Sequence, residues 1–251
     1  MRIDHPTAAQ MAQLRRLWQE AFGDEDAFLD LFFGQAFAVE RCRCVSVDSQ
    51  VAAALYWLDC SCGEGKLAYL YAIATAKACR GRGFCRALMA DTHDFLRQQG
   101  YAGCILVPGN GPLFEMYRTM GYEVCSTVRE FECRTGAEKA ALRHVQPEVY
   151  AALRRQYLPA GGVIQEGENL RFLAAQMELY AAEDELLCGT VREGVFHCPE
   201  LLGDTSAAPA VLAALGADRG IFRCPGTERA FAMYYPLTDA PAPQYFGLAF
   251  D

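Results

Sequence analysis

No Cys-x-x-Cys occurs in this chain, although 12 of its 251 residues are cysteine. The closest pairs are Cys42-x-Cys44 and Cys60-x-Cys62. With a two-residue hairpin turn at Asp48-Ser49, Cys42 lies opposite Leu55, and Cys60 stands five residues further along the second strand. At ~3.4 Å per residue the two pairs are then roughly 17 Å apart, too far to share one metal ion. A secretory signal is also missing, because Met1-Arg2-Ile3-Asp4-His5-Pro6 has no apolar core. The cysteines therefore read as free buried thiols, and no metal is expected. No apolar run reaches the ~18 residues of a membrane helix. There is no Lys/Arg-rich run, and the formal charge is −8, which argues against nucleic acid, since phosphate binding needs clustered cations. Nor is there a polar low-complexity tract that would suggest disorder. These absences lead to the expectation of a soluble, cytoplasmic protein with neither membrane nor nucleic acid as a partner.

What is present is a core-forming share of apolar residues, 52%, and one stretch around which the rest is arranged, Tyr69 to Tyr122. An apolar run, Tyr69-Leu70-Tyr71-Ala72-Ile73-Ala74, leads into Arg80-Gly81-Arg82-Gly83-Phe84-Cys85. Phe84, Leu88, Phe95 and Leu96 then recur at helical spacing up to Gly100. The stretch reads as strand, tight turn, helix. A helix start offers unpaired N–H groups and partial positive charge. Glycines let the backbone approach a phosphate closely, and arginines add charge-assisted hydrogen bonds. A pyrophosphate cradle is the physical reading, set against a merely solvated arginine-rich turn. It is not a P-loop, since no Gly-Lys-Ser/Thr follows, and the dinucleotide fingerprint fails at Arg86. Downstream, the short apolar strand Gly103 to Val107 precedes Asn110, which can cap a helix carrying Phe114 and Tyr117, followed by Gly121-Tyr122.

These residues resemble the GCN5-related N-acetyltransferases (GNAT superfamily). Their acyl-CoA loop, Arg/Gln-x-x-Gly-x-Gly/Ala, is matched by Arg80-x-x-Gly83-x-Cys85, with Cys85 where Gly or Ala is usual. The later motif is matched by Asn110, Tyr117, Gly121 and Tyr122, with Leu113 replacing the usual Ala. The resemblance covers roughly residues 1 to 135. It implies a mixed α/β fold: a central mixed sheet flanked by helices, with the acyl-CoA-binding domain over residues 1–135.

Around the motif, Arg2-Ile3 opens a strand, Thr7 precedes a helix ending at Gly23, and Asp24 precedes a second. The aromatics of these two helices serve either as core or as a wall of the acceptor site. Arg41 to Val47, Val51 to Leu58 and Lys66 to Thr75 form an antiparallel meander, and Tyr122 to Cys133 a long strand. Residues 135 to 145 are a plausible boundary. Beyond it come helices near Pro147–Tyr157 and Leu170–Ala182, a hairpin turned at Arg192-Glu193-Gly194, and a short helix from Pro209 to Leu215. Strands at Ile221–Cys224 and Ala230–Leu237 follow, with a last one over Tyr245–Phe250. This resembles a worn second copy of the fold, a smaller GNAT-like domain over residues 144–251. Its own turn, Glu200 to Ser206, carries two acids and no arginine, so it repels rather than holds a pyrophosphate.

The resemblance implies attack of an amine on the thioester of acetyl-CoA, without a metal. Backbone N–H groups of Gly81, Gly83, Phe84 and Cys85 would hold the pyrophosphate, with Arg80, Arg82 or Arg86 beside it. Main-chain groups of Ile73, Ala74 and Thr75 would pair with pantetheine and polarise the thioester carbonyl, and Asn110 would touch the pantetheine arm. Tyr117 would be the general acid, since a phenol with a pKa of about 10 can supply a proton to the leaving thiolate. No acid lies within Tyr69–Thr75 to act as base. Asp59, Glu64, Glu115, the terminal carboxylate of Asp251 and water remain as options, and His93 is expected to face solvent. The acceptor is an amine, and the acidic surface favours a cationic one; the family resemblance also allows a homodimer. A non-catalytic acyl-CoA-binding module and a transferase of a longer acyl group are the alternatives.

Overall fold

The computed structural model describes residues 1–250, which fold as two compact units: Met1–Leu106 with Tyr235–Pro241, and Val107–Tyr234 with the segment from Ala242 onward. In the first unit the order is β1 (Arg2–Asp4), α1 (Met11–Phe22), α2 (Asp26–Gln35), β2 (Cys42–Val47), β3 (Gln50–Cys62), β4 (Gly65–Thr75), α3 (Phe84–Gln98) and β5 (Gly103–Leu106). The strands lie side by side as β1-β2-β3-β4-β5. Only the β4–β5 pair is parallel, as a helical crossover through α3 requires. The β2–β3 hairpin turns at Asp48 and Ser49, both at positive φ (50° and 64°), the backbone that a two-residue hairpin demands. Leu14, Leu17 and Trp18 form the buried stripe of α1, and Leu88, Met89, Thr92 and Leu96 that of α3. Each fully buried leucine of this kind stabilises the unit by about 1.5–3 kcal/mol. An extra residue at Ala52 shifts the β2–β3 register, so Cys42 faces Tyr56 rather than Leu55. Cys60 is therefore four residues along, roughly 14 Å away. Among the described residues no three His, Cys, Asp or Glu side chains are grouped to hold a metal, and all 12 cysteines are free thiols.

The second unit contains α4 (Gly111–Arg118), β6 (Glu123–Arg134), β7 (Arg143–His144), α5 (Pro147–Tyr157), α6 (Glu168–Ala174), β8 (Glu178–Ala181), β9 (Glu185–Arg192), β10 (Val195–Gly203), α7 (Ala208–Leu215), β11 (Arg219–Pro225) and β12 (Arg229–Pro236). Its strands run in the order β12-β6-β11-β10-β9-β8-β7. From β7 to β11 the elements repeat the first unit one for one: strand, two helices, an antiparallel meander, a helix, and a strand parallel to the last of the meander. Even the register irregularity recurs, in β4 between the pairs at Tyr71 and Ala74, and in β10 between His197 and Glu200. Phe196, Leu201, Val211, Leu212 and Phe222 form the core on the α7 side. Because β6 pairs with β11 and β12 along its length, residues 107–135 fold with the second unit, and the compact division does not fall at 135–144.

Two elements differ from the sequence reading. The expected helix over Leu170–Ala182 stops at Ala174, and Glu178–Ala181 is strand β8, its backbone taken up by β7 and β9. Tyr245–Phe250 forms no strand. It is a buried extended segment with one isolated bridge, Gly162 to Tyr245, held by side chains: Ser126 Oγ bonds both the N–H and C=O of Phe246 (2.9 and 3.1 Å), and Gln165 Nε2 donates to Leu248 O (2.8 Å).

Candidate active site

The site begins with how β4 ends. β4 and β5 pair at Leu67↔Gly103, Ala68↔Cys104 and Tyr69↔Ile105, so residues 70–75 extend past the last β5 partner. On the other edge β4 stays paired with β3 through Thr75. Between these limits Ala72 adopts φ 48°, a left-handed conformation that costs a non-glycine residue about 1 kcal/mol or more. Bulges of this kind re-aim the peptide groups that follow. Here those groups belong to Ile73, Ala74 and Thr75, on a strand edge not committed to β5.

A single 3₁₀ turn (Lys77–Cys79) carries the chain from β4 into α3. Gly81 (φ 73°) and Gly83 (φ 78°) are both left-handed, and Gly83 is the N-cap of α3. No side chain caps this helix and no acid stands in its first turn, so the N-terminal N–H groups and the helix dipole keep their attraction for an anion. A Cβ built on Gly81 or Gly83 meets nothing within 4 Å; the space beside the backbone suits the close approach of a phosphate. Phe84 is buried and anchors the helix start, while Arg82 lies over its ring (4.9 Å) with the rest of the turn exposed. Arg80 Nε donates to Thr75 O (3.2 Å), fastening the cradle to the end of β4. Cys85 is half-buried, and burial raises its thiol pKa against the opposing effect of Arg86. It is a small neutral side chain here rather than a thiolate nucleophile.

Ile73 to Thr75 and Arg80 to Arg86 are thus neighbours within the first unit. Asn110 and Tyr117 belong to the second, on α4. Asn110 Oδ1 accepts the N–H of Leu113 (3.2 Å) and caps α4, with Pro112 in the first turn. Tyr117 is buried, 5.7 Å from the ring of Tyr122.

Of the carboxylates considered as bases, Asp59 and Glu115 are engaged elsewhere. Asp59 accepts from Tyr101 Oη and pairs with Lys66 (3.3 Å) and Arg41 (3.8 Å). It faces Ala68, five residues short of Ile73 and so roughly 17 Å along the strand. Glu64 lies in the β3–β4 turn, and Glu115 pairs with Arg118 on the surface of α4. Asp251 lies outside the described residues. Glu20, which sequence reasoning passed over, is the carboxylate bonded to the linker, accepting from Lys77 N (2.6 Å). Around it, α1 and α2 present Trp18 and Phe32 to the core, with Tyr71 of β4 at 5.6 and 5.8 Å, whereas Phe22 is 49% exposed beside Asp24, Glu25 and Asp26. These aromatics are therefore partly core and partly surface.

His93 is buried against the ring of Tyr235 (4.0 Å, stacked) instead of facing solvent. Burial, helped by Arg97 and opposed by Asp94, lowers its pKa to about 4. A folded value below the ordinary ~6.5 means that the neutral ring stabilises the fold above pH ~6.5, and this is lost as pH falls from there toward 4. The loss is about 2 kcal/mol at pH 5. In thermal melts at pH 7 and pH 5, His93→Phe should show a drop smaller than wild type by several degrees. Equal drops would contradict this assignment.

A mixed sheet that opens beyond Tyr69 onto an uncapped, glycine-lined helix start is a geometry suited to an anionic ligand. Residues 2–125 match the model of the Acetyltransferase (GNAT) domain, and this segment of the chain is a GNAT acetyltransferase domain. Its chemistry is acyl transfer. A GCN5-related N-acetyltransferase from Kribbella flavida is similar in fold at 19% identity (TM-score 0.71, 94% of this chain and 70% of that one). So are a probable N-acyltransferase from Enterococcus faecalis V583 (16%, TM-score 0.72, 94% and 72%) and a GCN5-related N-acetyltransferase from Anabaena variabilis (14%, TM-score 0.72, 94% and 73%). No curated protein matches the chain. Among the described residues no helix is long and apolar enough to cross a membrane.

Proposed function

We propose that the protein is an acetyl-CoA-dependent N-acetyltransferase that moves the acetyl group to a primary amine of a small molecule or peptide. The observation that carries this reading is the pair of left-handed glycines, Gly81 and Gly83, opening α3 with free space beside them and no acid in the first turn. The residues present suit acetyl-CoA. The α3 N–H groups and Arg82 or Arg86 take the pyrophosphate, Ile73 to Thr75 take the pantetheine amides as a strand edge, and Asn110 touches the same arm. One N–H after the Ala72 bulge polarises the thioester carbonyl. Bound acetyl-CoA supplies the activated acyl group; the chain positions it and handles the protons. The acidic corner around Glu20, Asp24 and Glu25, with the exposed Phe22, favours a cationic amine with an apolar body. Water takes the proton from that amine, since no carboxylate stands on β4.

Tyr117 donates the proton to the departing thiolate. In Tyr117→Phe, turnover measured by thiol release should fall about a hundredfold while the Kd for CoA stays unchanged. Undiminished turnover would remove Tyr117 from the mechanism. The missing carboxylate on β4 also favours a second reading, a non-catalytic acyl-CoA-binding module. A panel of amines and acyl-CoAs, scored by product mass, separates the two and reports which acyl group is used.

A further inference from the structure

We propose that the exposed end of one sheet face in the second unit, beyond the part that α5 covers, is a docking surface for an acidic polypeptide segment. Phe196, Phe222 and Phe131 point toward α7, so the alternating residues of β9, β10, β11 and β6 share the other face. The pairs Arg192↔Val195, Val195↔Arg219 and Arg219↔Arg134 form one row across these four strands. Thr190, His197, Ile221 and Glu132 form the next row, and Arg223 opposite Glu130 the one after. Arg134, Arg192, Arg219 and His197 are exposed, with Val195 and Ile221 half-buried between them. An open groove of about 240 Å³ runs over Thr190, Arg192, His197, Pro199 and Ile221.

The charges on this face do not balance. Glu132 pairs with Arg219 (3.5 Å), and Glu130 serves both Arg223 (3.1 Å) and Arg229 (2.5 Å). Among the described residues Arg134 and Arg192 make no ion pair. Arg134 stands directly opposite Arg219, and like charges opposite each other on a sheet are destabilising. A chain with net charge −8 thus places five arginines and two glutamates on one sheet face, which α5 covers around Cys188 and Glu200 but which is exposed at Arg134, Arg192, His197 and Arg219. The row from Arg192 to Arg134 spans three strand spacings, roughly 14 Å, too far for one phosphate group to bridge. An extended segment with carboxylates on alternate residues turns all of them toward the row, and their methylene stems lie on Val195 and Ile221. Duplex nucleic acid would meet the acidic remainder of the surface.

The test is fluorescence anisotropy with the full chain and a labelled peptide in which glutamate alternates with leucine and alanine. Wild type should bind it, more weakly as salt is raised, and Arg134→Glu/Arg192→Glu/Arg219→Glu should weaken binding at least tenfold. The neutral Arg→Gln triple variant, with the wild-type far-UV spectrum, should lie between. Three results would overturn the proposal: no binding by wild type, equal binding by the charge-reversed variant, or full displacement of the peptide by millimolar inorganic phosphate. The last would mark a small-anion site instead.

Discussion

Gly83→Glu should weaken CoA binding about a hundredfold without unfolding the protein. The position is exposed and a Cβ there meets nothing within 4 Å, so the variant is accommodated sterically. Its φ of 78° adds a conformational cost of about 1 kcal/mol. The larger effect is electrostatic. A carboxylate ~5 Å from a phosphate repels it by about 3 kcal/mol at an effective dielectric of ~20. Exposure and salt roughly halve this, and the second phosphate of a pyrophosphate restores it. Gly83→Ala separates the two contributions, because it keeps the conformational cost and adds no charge; its affinity should fall less than tenfold. Equal affinities for wild type and Gly83→Glu would place the pyrophosphate elsewhere.

Glu200→Ala should destabilise the protein by about 3–5 kcal/mol, the cost of leaving one member of a buried ion pair alone. Arg154 and Glu200 are both almost wholly buried and joined by two bonds (2.6 and 2.9 Å), with Arg154 also donating to Val163 O (2.9 Å) and Tyr245 Oη to Glu200 Oε1 (3.1 Å). Burial alone would lower the pKa of Arg154, but the charge of Glu200 outweighs it and the value is raised. Removing Glu200 strands a buried guanidinium and a buried phenol, whereas Arg154→Met with Glu200→Leu removes both charges and should cost far less. Urea unfolding followed by far-UV circular dichroism is the measurement, because both tryptophans, Trp18 and Trp57, lie in the first unit. An unchanged transition for Glu200→Ala would contradict the account of this network.

That network also fills the place in the second unit that corresponds to the proposed cradle of the first. Past Cys198↔Phe222 β10 and β11 lose their pairing, as β4 and β5 do past Tyr69. Here, however, Glu200 occupies the strand and the Tyr245–Ala249 segment is packed against it: a Cβ on Gly247 would come within 2.9 Å of Glu200 Oε1. The 3₁₀ turn Thr205–Ala207 that leads into α7 is closed as well, since Asp204 caps it by accepting from Ser206 N (2.8 Å) and a Cβ on Gly203 would strike Asp184 O.

Much of this was legible in the sequence because single residues dictate it. Gly81 and Gly83 mark positive φ, Asp48-Ser49 marks a hairpin, and Pro147 opens a helix whose bounds match the periodicity. The bulges at Ala52 and Ala72 left no sign, since alanine sits in both and only tertiary pairing imposes them. Leu170–Ala182 has apolar residues compatible with helix or strand, and neighbours β7 and β9 decided its end. Tyr245–Phe250 carries strand-like residues but finds side-chain partners instead of a ladder. The burial of His93 depends on Tyr235, far away in the chain, which no local pattern could supply.

Calorimetric titration of the full chain with acetyl-CoA, and separately with CoA, tests the central claim most directly. The account predicts one site per chain for each, lost together in Gly83→Glu. Two sites would show that the second copy also binds, and no binding by the wild type would contradict the assignment of Gly81 and Gly83 as the cradle.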